Sequence, residues 1–385
     1  MKHYCSFLAV LLAVLAILSG CSYIKEVSVQ YETPDKNAQS DILIGVAYPV
    51  NLMDTTTQYI RGVQLAVDEI NDSGGINNRN LKILIEDDGA SVTTGIAVAQ
   101  SFVENPEIAA VIGHWNSRVS IAAAGIYEKA GVVMITPAST SPELTRKGYK
   151  YVFCQVPSDE KIGKLMAEFA AKQGYKKIVI YYADDEYGRS LANSFEDNGR
   201  NYGVKVVDRV AEFGGGQYFL SLIDKWNAFG YDAFFIADVM PNGGVFIKNL
   251  RENGIDSPVL GATGLDKADF IEMLGEKADG TVMPTLFNPA SGSPKALLFV
   301  SKFKKQYGNE PDVWAVQGYE TVKMLAYAIE KAKSAESYNI AAELHDIQNW
   351  EGITGVLSFR ETGEIDGKKL AVKIIRNGRF EYRDE

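Results

Sequence analysis

From residue 42 onward, short apolar runs alternate with longer stretches whose apolar residues recur every three to four positions. Ile42-Leu43-Ile44-Gly45-Val46-Ala47 is the first such run; its uninterrupted apolar character predicts a strand covered on both faces. Ile60, Val63, Val67 and Ile70 then fall on one helical face, with Thr55-Thr56-Thr57 expected to cap the helix and Gly74-Gly75 to stop it. Leu81-Lys82-Ile83-Leu84-Ile85 is a second strand with an acidic end, and a helix through Ala97, Phe102 and Val103 leads to the strand ending at Val111-Ile112. Val119, Ile121, Ala122 and Ile126 mark another helix, and Val132-Val133-Met134-Ile135 another strand. Strand and helix in alternation imply a parallel sheet with helices on both faces.

The pattern restarts after Lys150. Tyr151-Val152-Phe153-Cys154 reads as extended, and Pro157-Ser158-Asp159 opens a helix through Ile162, Leu165 and Phe169. Strands are expected at 177–182, 204–207, 233–237, 259–261 and 281–283, with helices between them, which makes a second doubly wound unit. The tail departs from this rhythm. A long helix through Val316, Met324, Leu325 and Ile329 is followed by strand-like runs at 355–359 and 370–375 on either side of a turn, Glu361-Thr362-Gly363-Glu364. A helix followed by extra strands suggests that the chain returns to the first unit and crosses again.

The first forty residues stand apart. A weakly basic start and an apolar run from Leu8 to Leu18 lead to Leu18-Ser19-Gly20-Cys21, which matches a lipoprotein signal. Residues 1–20 are expected to be removed, leaving Cys21 as the lipidated N-terminus that holds the exported protein at a membrane surface. Residues 21–40 lack periodicity and read as a polar tether. About 345 residues remain, enough for two lobes. Of them Cys154 is the one cysteine, so no internal disulfide is expected. With 39 Lys plus Arg against 49 Asp plus Glu and no basic patch, nucleic acid is an unsuitable partner.

Chemistry is most concentrated in residues 109–145, where two expected strands end within thirty residues of each other and small hydroxyl residues follow each. Ligands in open α/β sheets bind beyond the carboxyl ends of strands. Ser117, Ser139 and Thr140, with their backbone N–H groups, would there form a cluster of donors suited to a carboxylate. Catalytic and cofactor patterns are missing: no G-x-G-x-x-G follows the first strand, and no P-loop, H-E-x-x-H or G-x-S-x-G occurs. Gly214-Gly215-Gly216 reads as a loop, and Asp87-Asp88 and Asp184-Asp185-Glu186 as solvated strand-end charges. The expectation is a binding protein, not an enzyme, with no cofactor and no metal.

Five motifs in order carry a resemblance: 62–71 (GVQLAVDEIN) with Gly74-Gly75-Ile76; Ile112-Gly113-His114 with Ser117; Met134-Ile135-Thr136-Pro137 through Pro142-Glu143-Leu144-Thr145; Asp185-Glu186-Tyr187-Gly188; and Gly355-Val356-Leu357-Ser358-Phe359 with Gly363. From Asp41 to its end the chain resembles the type I periplasmic-binding-protein fold, in particular the leucine/isoleucine/valine-binding receptors of ABC transporters. The resemblance implies two doubly wound parallel-sheet lobes joined by three crossovers, placed near Val156, Pro284 and Phe359, with ligand clamped between the lobes. The N-terminal lobe would span 41–156 and 285–358, the C-terminal lobe 157–284 and 359–385.

The resemblance also implies that Ser117, Ser139 (or Ala138) and Thr140 hold a ligand carboxylate, and that Tyr187 closes over the ligand from the other lobe. The family's glutamate for a ligand ammonium falls on or near Thr263, so its charge is missing. Since a desolvated ammonium needs an anion, Asp238 is the expected replacement; failing that, the ligand would be an amine-free carboxylate or amide. Trp115 and Phe287 could line the side-chain end or lie in the core, and residues 53–56 could form a loop over the mouth. The implied protein is a monomeric, lipid-anchored, extracytoplasmic receptor that captures an amino-acid-like solute and delivers it to an ABC permease. A sensor of the same fold, signalling to a membrane partner, is the alternative.

Overall fold

Along Ile178-Val179-Ile180-Tyr181 successive side chains enter two different cores: Ile178 and Ile180 join one apolar cluster, Val179 and Tyr181 another. That is what an unbroken apolar run does in a sheet covered on both faces. The protein is described by a computed structural model covering residues 40–289, 291 and 293–383; the expected signal, Cys21 and the tether through residue 39 lie outside the described residues.

One sheet contains β1 (Ile42–Tyr48), β2 (Leu81–Asp87), β3 (Ile108–Ile112), β4 (Val133–Thr136) and β5 (Val152–Cys154) in the order β2-β1-β3-β4-β5, parallel throughout. The chain then builds β6 (Lys177–Tyr182), β7 (Lys205–Val210), β8 (Ala233–Ala237), β9 (Val259–Gly261) and β10 (Thr281–Thr285), and later β11 (Trp350–Glu351), β12 (Val356–Phe359), β13 (Ile365–Asp366), β14 (Ala371–Arg376) and β15 (Arg379–Arg383). The second large sheet has the order β15-β14-β10-β9-β8-β6-β7. Its β6–β10 part is parallel, as expected, whereas β14 and β15 add antiparallel strands at one edge. The alternating α/β reading with two parallel-sheet lobes therefore holds.

The tail differs in its pairing. The turn at 361–364 forms, with Arg360 and Gly363 N–H groups donating to Glu364 and Arg360 carbonyls, but it joins β12 to β13 rather than to β14. Strand β14 instead lies against β10 and turns back into β15, whose charged sequence gave no apolar signal. Thr55-Thr56-Thr57 caps nothing through its first two hydroxyls. Residues 50–56 are themselves a helix (Val50–Thr56), and Thr55 and Thr56 hydroxyls donate back to its carbonyls. The next helix, Tyr59–Asp72, has Gln58 at its N-cap with no side-chain cap. Residues 53–56 are thus helical, not a loop.

The long helix Val313–Ala332 packs on Tyr59–Asp72 within the core of the first sheet. Two glycines allow the backbones to touch. A Cβ on Gly62 would lie 1.9 Å from the Ala315 carbonyl oxygen, and one on Gly318 2.6 Å from that of Tyr59. This explains Gly62 at the head of the first motif.

Beside β5, the fully buried Lys368 and Glu320 form an ion pair at 3.0 Å. Lys368 also donates to the Gln155 carbonyl and to Gln317 Oε1, while Gln155 Nε2 and the Thr354 N–H and hydroxyl donate to Glu320. Four separate segments are thereby fixed around the point where the chain leaves the first sheet.

Candidate binding site

Strand β3 ends at Ile112, and the chain turns through Gly113 into the buried His114, whose ring nitrogens meet Asp88 Oδ2 at 2.8 Å and the Tyr127 hydroxyl at 3.2 Å. The His114 carbonyl accepts from three hydroxyls, those of Ser120, Thr136 and Ser139. Ser139 also lies 2.5 Å from the Ser120 hydroxyl and donates to the Trp115 carbonyl at 2.9 Å. Its hydroxyl is spent inside the protein, holding the two strand ends together. Thr140 is likewise engaged: its hydroxyl donates to Asp159 Oδ1 at 2.6 Å and its carbonyl accepts from the Asp159 N–H.

Ser117 differs. It is the first residue of the helix Ser117–Ala130, whose N-cap Asn116 makes no side-chain cap bond, and the Ser117 hydroxyl has no protein partner among the described residues. The first N–H groups of a helix have no intrahelical acceptor. Asn116 Oδ1 is buried and unpartnered as well.

These groups open on a cavity of about 60 Å³ lined from both sheets. A single water needs roughly 10–15 Å³, so the space suits a small solute rather than one water. Trp115, Asn116, Ser117 and Ala138 line one side, and Asp185, Tyr187, Thr263 and Lys267 the other. Pro49, Leu52, Met53, Val239, Met240 and Trp314 give the lining an apolar share. Trp115 stacks obliquely on Trp314 at 4.6 Å and edge-on to Tyr59 at 5.2 Å. Phe287 is buried within the first-sheet core and is not part of the lining.

On the far side, Asp185 caps the helix Glu186–Asn201 by accepting from the Gly188 N–H, and so stands at the cavity edge as a fixed carboxylate rather than a fully solvated one. Gly188 is required there, since a Cβ would lie 2.2 Å from the Ala183 carbonyl oxygen. The Tyr187 hydroxyl accepts from the Gly264 N–H at 3.2 Å and interacts with Thr263. Asp238 lies outside the lining: it accepts from its neighbour Val239 and from Tyr181, and burial pushes its carboxyl up to about 6. Of the residues singled out in the sequence, Trp115, Ser117, Ala138, Tyr187 and Thr263 are brought together on the cavity; Ser139, Thr140 and Asp238 are directed elsewhere.

The profile of the periplasmic binding protein family matches residues 44–378. The chain belongs to this family. It is 28% identical over 305 residues to the leucine-, isoleucine-, valine-, threonine- and alanine-binding protein of Pseudomonas aeruginosa, covering 79% of this chain and 81% of that protein. Among solved structures it is similar to an ABC transporter substrate-binding protein from Desulfitobacterium hafniense in complex with Leu, with 40% identity, a TM-score of 0.82, and 90% and 100% of the two chains covered. A leucine-binding protein from Thermotoga maritima superposes with a TM-score of 0.81 at 28% identity over 89% and 98% of the chains. The type I fold and the branched-chain branch suggested by the five motifs are therefore the correct ones.

Two buried charges went unmarked in the sequence, one outside the cavity lining and one within it. Asp159 opens the helix Asp159–Lys172, is fully buried, and leaves Oδ2 without a partner. Burial pushes its carboxyl up to about 7, against the Thr140 and Ser190 hydroxyls, and Asp185 and Glu186 push it further in the same direction. Its charge reaches Tyr187. An aspartate at a helix start ordinarily reads as a solvated cap; only its position behind Thr140 and Tyr187 removes it from water. Lys267, three residues beyond Gly264, is buried at the cavity, and no local spacing marks it out. Among the described residues no cluster of three or more His, Cys, Asp or Glu side chains is arranged to hold a metal.

Proposed function

We propose that this protein is an extracytoplasmic receptor that captures a small amino acid between its lobes and passes it to an ABC permease, held at a membrane by a lipid on Cys21. The observation that carries this reading is the cavity, where unspent polar groups of opposite demand meet. On one side stand the Ser117 hydroxyl and the uncapped start of its helix, suited to a carboxylate. Asn116 Oδ1 is an unpartnered acceptor, and the Asp185 carboxylate lies on the other side, suited to an ammonium, with the Asp159 carboxyl buried behind the lining. The names of the relatives, several of them for branched-chain amino acid binding, support the same class.

In this reading the lobes comprise 41–156 with 285–358, and 157–284 with 359–385, and hinge where the chain crosses near Val156, Pro284 and Phe359. Closure buries the solute and presents a surface that the permease recognises. Cross-cleft contacts such as Trp314 Nε1 donating to the Asp266 carbonyl at 2.8 Å favour the closed form. Binding, not bond making, is the activity; the cavity's carboxylates are ion-pair partners for solute.

Thermal denaturation of the mature domain against the common L-amino acids tests the reading. A ligand that binds only the folded state adds about 2.7 kcal/mol at a hundred times its Kd, so at least one amino acid raises the melting temperature by several degrees. No response at millimolar concentration overturns it. For the anchor, Cys21→Ser should release the protein from membranes, and a variant that stays membrane-bound contradicts lipidation.

A further inference from the structure

Three lysines are buried among the described residues: Lys267, Lys368 and Lys373. Two of them have a fixed anion. Lys368 pairs with Glu320 at 3.0 Å, and Lys373 pairs with Asp266. Lys267 has none: among the described residues no carboxylate comes within 4.0 Å of its ammonium. Its nearest polar contacts are Met53 Sδ at 3.7 Å, a weak acceptor, and Thr56 Oγ1 at 3.5 Å, long for a hydrogen bond from an ammonium that carries three donors. The aspartates around it are engaged or set apart. Asp312 accepts from the Gln58 and Ala315 N–H groups, Asp266 serves Lys373 through one oxygen, and Asp269, whose Oδ1 is buried without a partner, acts with Asp312 on Lys267 through space, beyond ion-pair distance.

A buried cation without a counter-ion is costly, and proteins ordinarily pair such a charge or neutralise it. Lys267 is also the one lysine or arginine in the cavity lining. The unpaired cation and the cavity coincide, so the cavity's occupant is the natural source of its anion. Burial lowers the pKa of Lys267, which agrees with a site that awaits that charge.

Strand order fixes where along the solute this anion lies. Ser117 and Ala138 follow β3 and β4, whereas Met53 and Thr56 belong to the helix after β1, on the other side of β3. Adjacent strands are about 4.8 Å apart, so the Lys267 ammonium stands about 5–10 Å along the sheet edge from the groups suited to an α-carboxylate. That is the span from the α-carboxylate to the end of a short acidic side chain.

We propose that Lys267 reads an oxygen acceptor at the side-chain end of the solute, so that the cleft selects an acidic amino acid, or in second place its amide, over an aliphatic one. This deepens the amino-acid reading and rests on it. It also separates this protein from the relatives named for leucine. The apolar residues around Lys267 form the sleeve through which the solute's methylene groups pass to its ammonium.

The experiment is isothermal titration of the mature domain with L-glutamate, L-aspartate, L-glutamine and L-leucine, repeated for Lys267→Met and Lys267→Arg. The wild type should bind an acid at least tenfold more tightly than leucine. Lys267→Met should lose that preference by at least thirtyfold while holding or improving leucine binding, and Lys267→Arg should keep it in part. Leucine bound as tightly as the acids by the wild type would overturn the inference and leave the amino-acid receptor standing. So would an equal loss for every solute in Lys267→Met, which would make Lys267 a partner of the α-carboxylate or a latch between the lobes. The wild-type ranking decides even if a variant fails to fold. If no amino acid binds at all, the receptor reading fails, and this inference with it.

Discussion

The two sides of the cleft are built from different materials. On the first-sheet side the polar groups are neutral, and most are consumed internally: Ser120, Thr136 and Ser139 all serve the His114 carbonyl, which locks the ends of β3 and β4 into one rigid unit. What remains open is small, namely the Ser117 hydroxyl, Asn116 Oδ1 and the helix start. The other side carries formal charge, with Asp185 and Lys267 at the cavity and Asp159 and Asp238 buried behind it. A neutral, pre-set wall can grip a group that all amino acids share. A charged wall must be answered charge for charge by the solute, so it discriminates.

Removing charge from the second wall should therefore have the largest effect. Asp159→Asn should weaken binding of an amine-bearing solute by about 3 kcal/mol or more, roughly 100-fold, the scale for truncating one partner of a buried charge pair. Calorimetry would read it, and a loss under threefold would remove Asp159 from the ammonium site. Asp238→Asn should cost far less, since that carboxylate is already engaged by Val239 and Tyr181.

The same aspartate predicts a pH dependence. Its carboxyl is held up to about 7 in the folded protein against about 3.9 in the unfolded chain. The folded state thus binds more protons between about pH 4 and 7, and stability falls as pH rises through that window. The sign for solute is opposite. An ammonium needs the ionised carboxylate, so affinity should decline as pH falls from about 7 toward 5, by up to about tenfold per unit, and Asp159→Asn should flatten the profile. A flat wild-type profile breaks the link between Asp159 and the amine.

Changes to the first wall should be smaller and less selective. Ser117→Ala should cost about 1–3 kcal/mol for any solute carrying a carboxylate, the usual value of a hydrogen bond to a charged group. Ser139→Ala should leave affinity nearly unchanged and lower stability by about 1 kcal/mol, because its hydroxyl serves the scaffold. Affinity loss in Ser139→Ala larger than in Ser117→Ala would reverse this division of labour.

Much of this architecture was legible in the residues. Apolar runs of three to six residues located the parallel strands, and hydroxyls after two of them marked the end of the sheets where the cavity lies. Which hydroxyls face that cavity was not legible. Ser117 and Ser139 look alike in sequence, and the difference arises because the two strand ends sit close enough for Ser139 to reach the His114 and Trp115 carbonyls. Asp159 and Lys267 were hidden for the same reason: local sequence gives no sign of burial imposed by other segments, Thr140 and Tyr187 for Asp159 and, more than two hundred residues away, Met53 and Thr56 for Lys267. The β12–β13 hairpin escaped because β13 has two residues and one is exposed, too little for an apolar pattern.

In the proposed receptor the neutral wall takes the carboxylate while the charged wall demands an ammonium. Titration of L-leucine and L-glutamate alongside their amine-free counterparts, 4-methylpentanoate and glutarate, tests it most directly. At least one amino acid should bind, and its amine-free counterpart should bind at least 100-fold more weakly. Equal affinities within such a pair would contradict it.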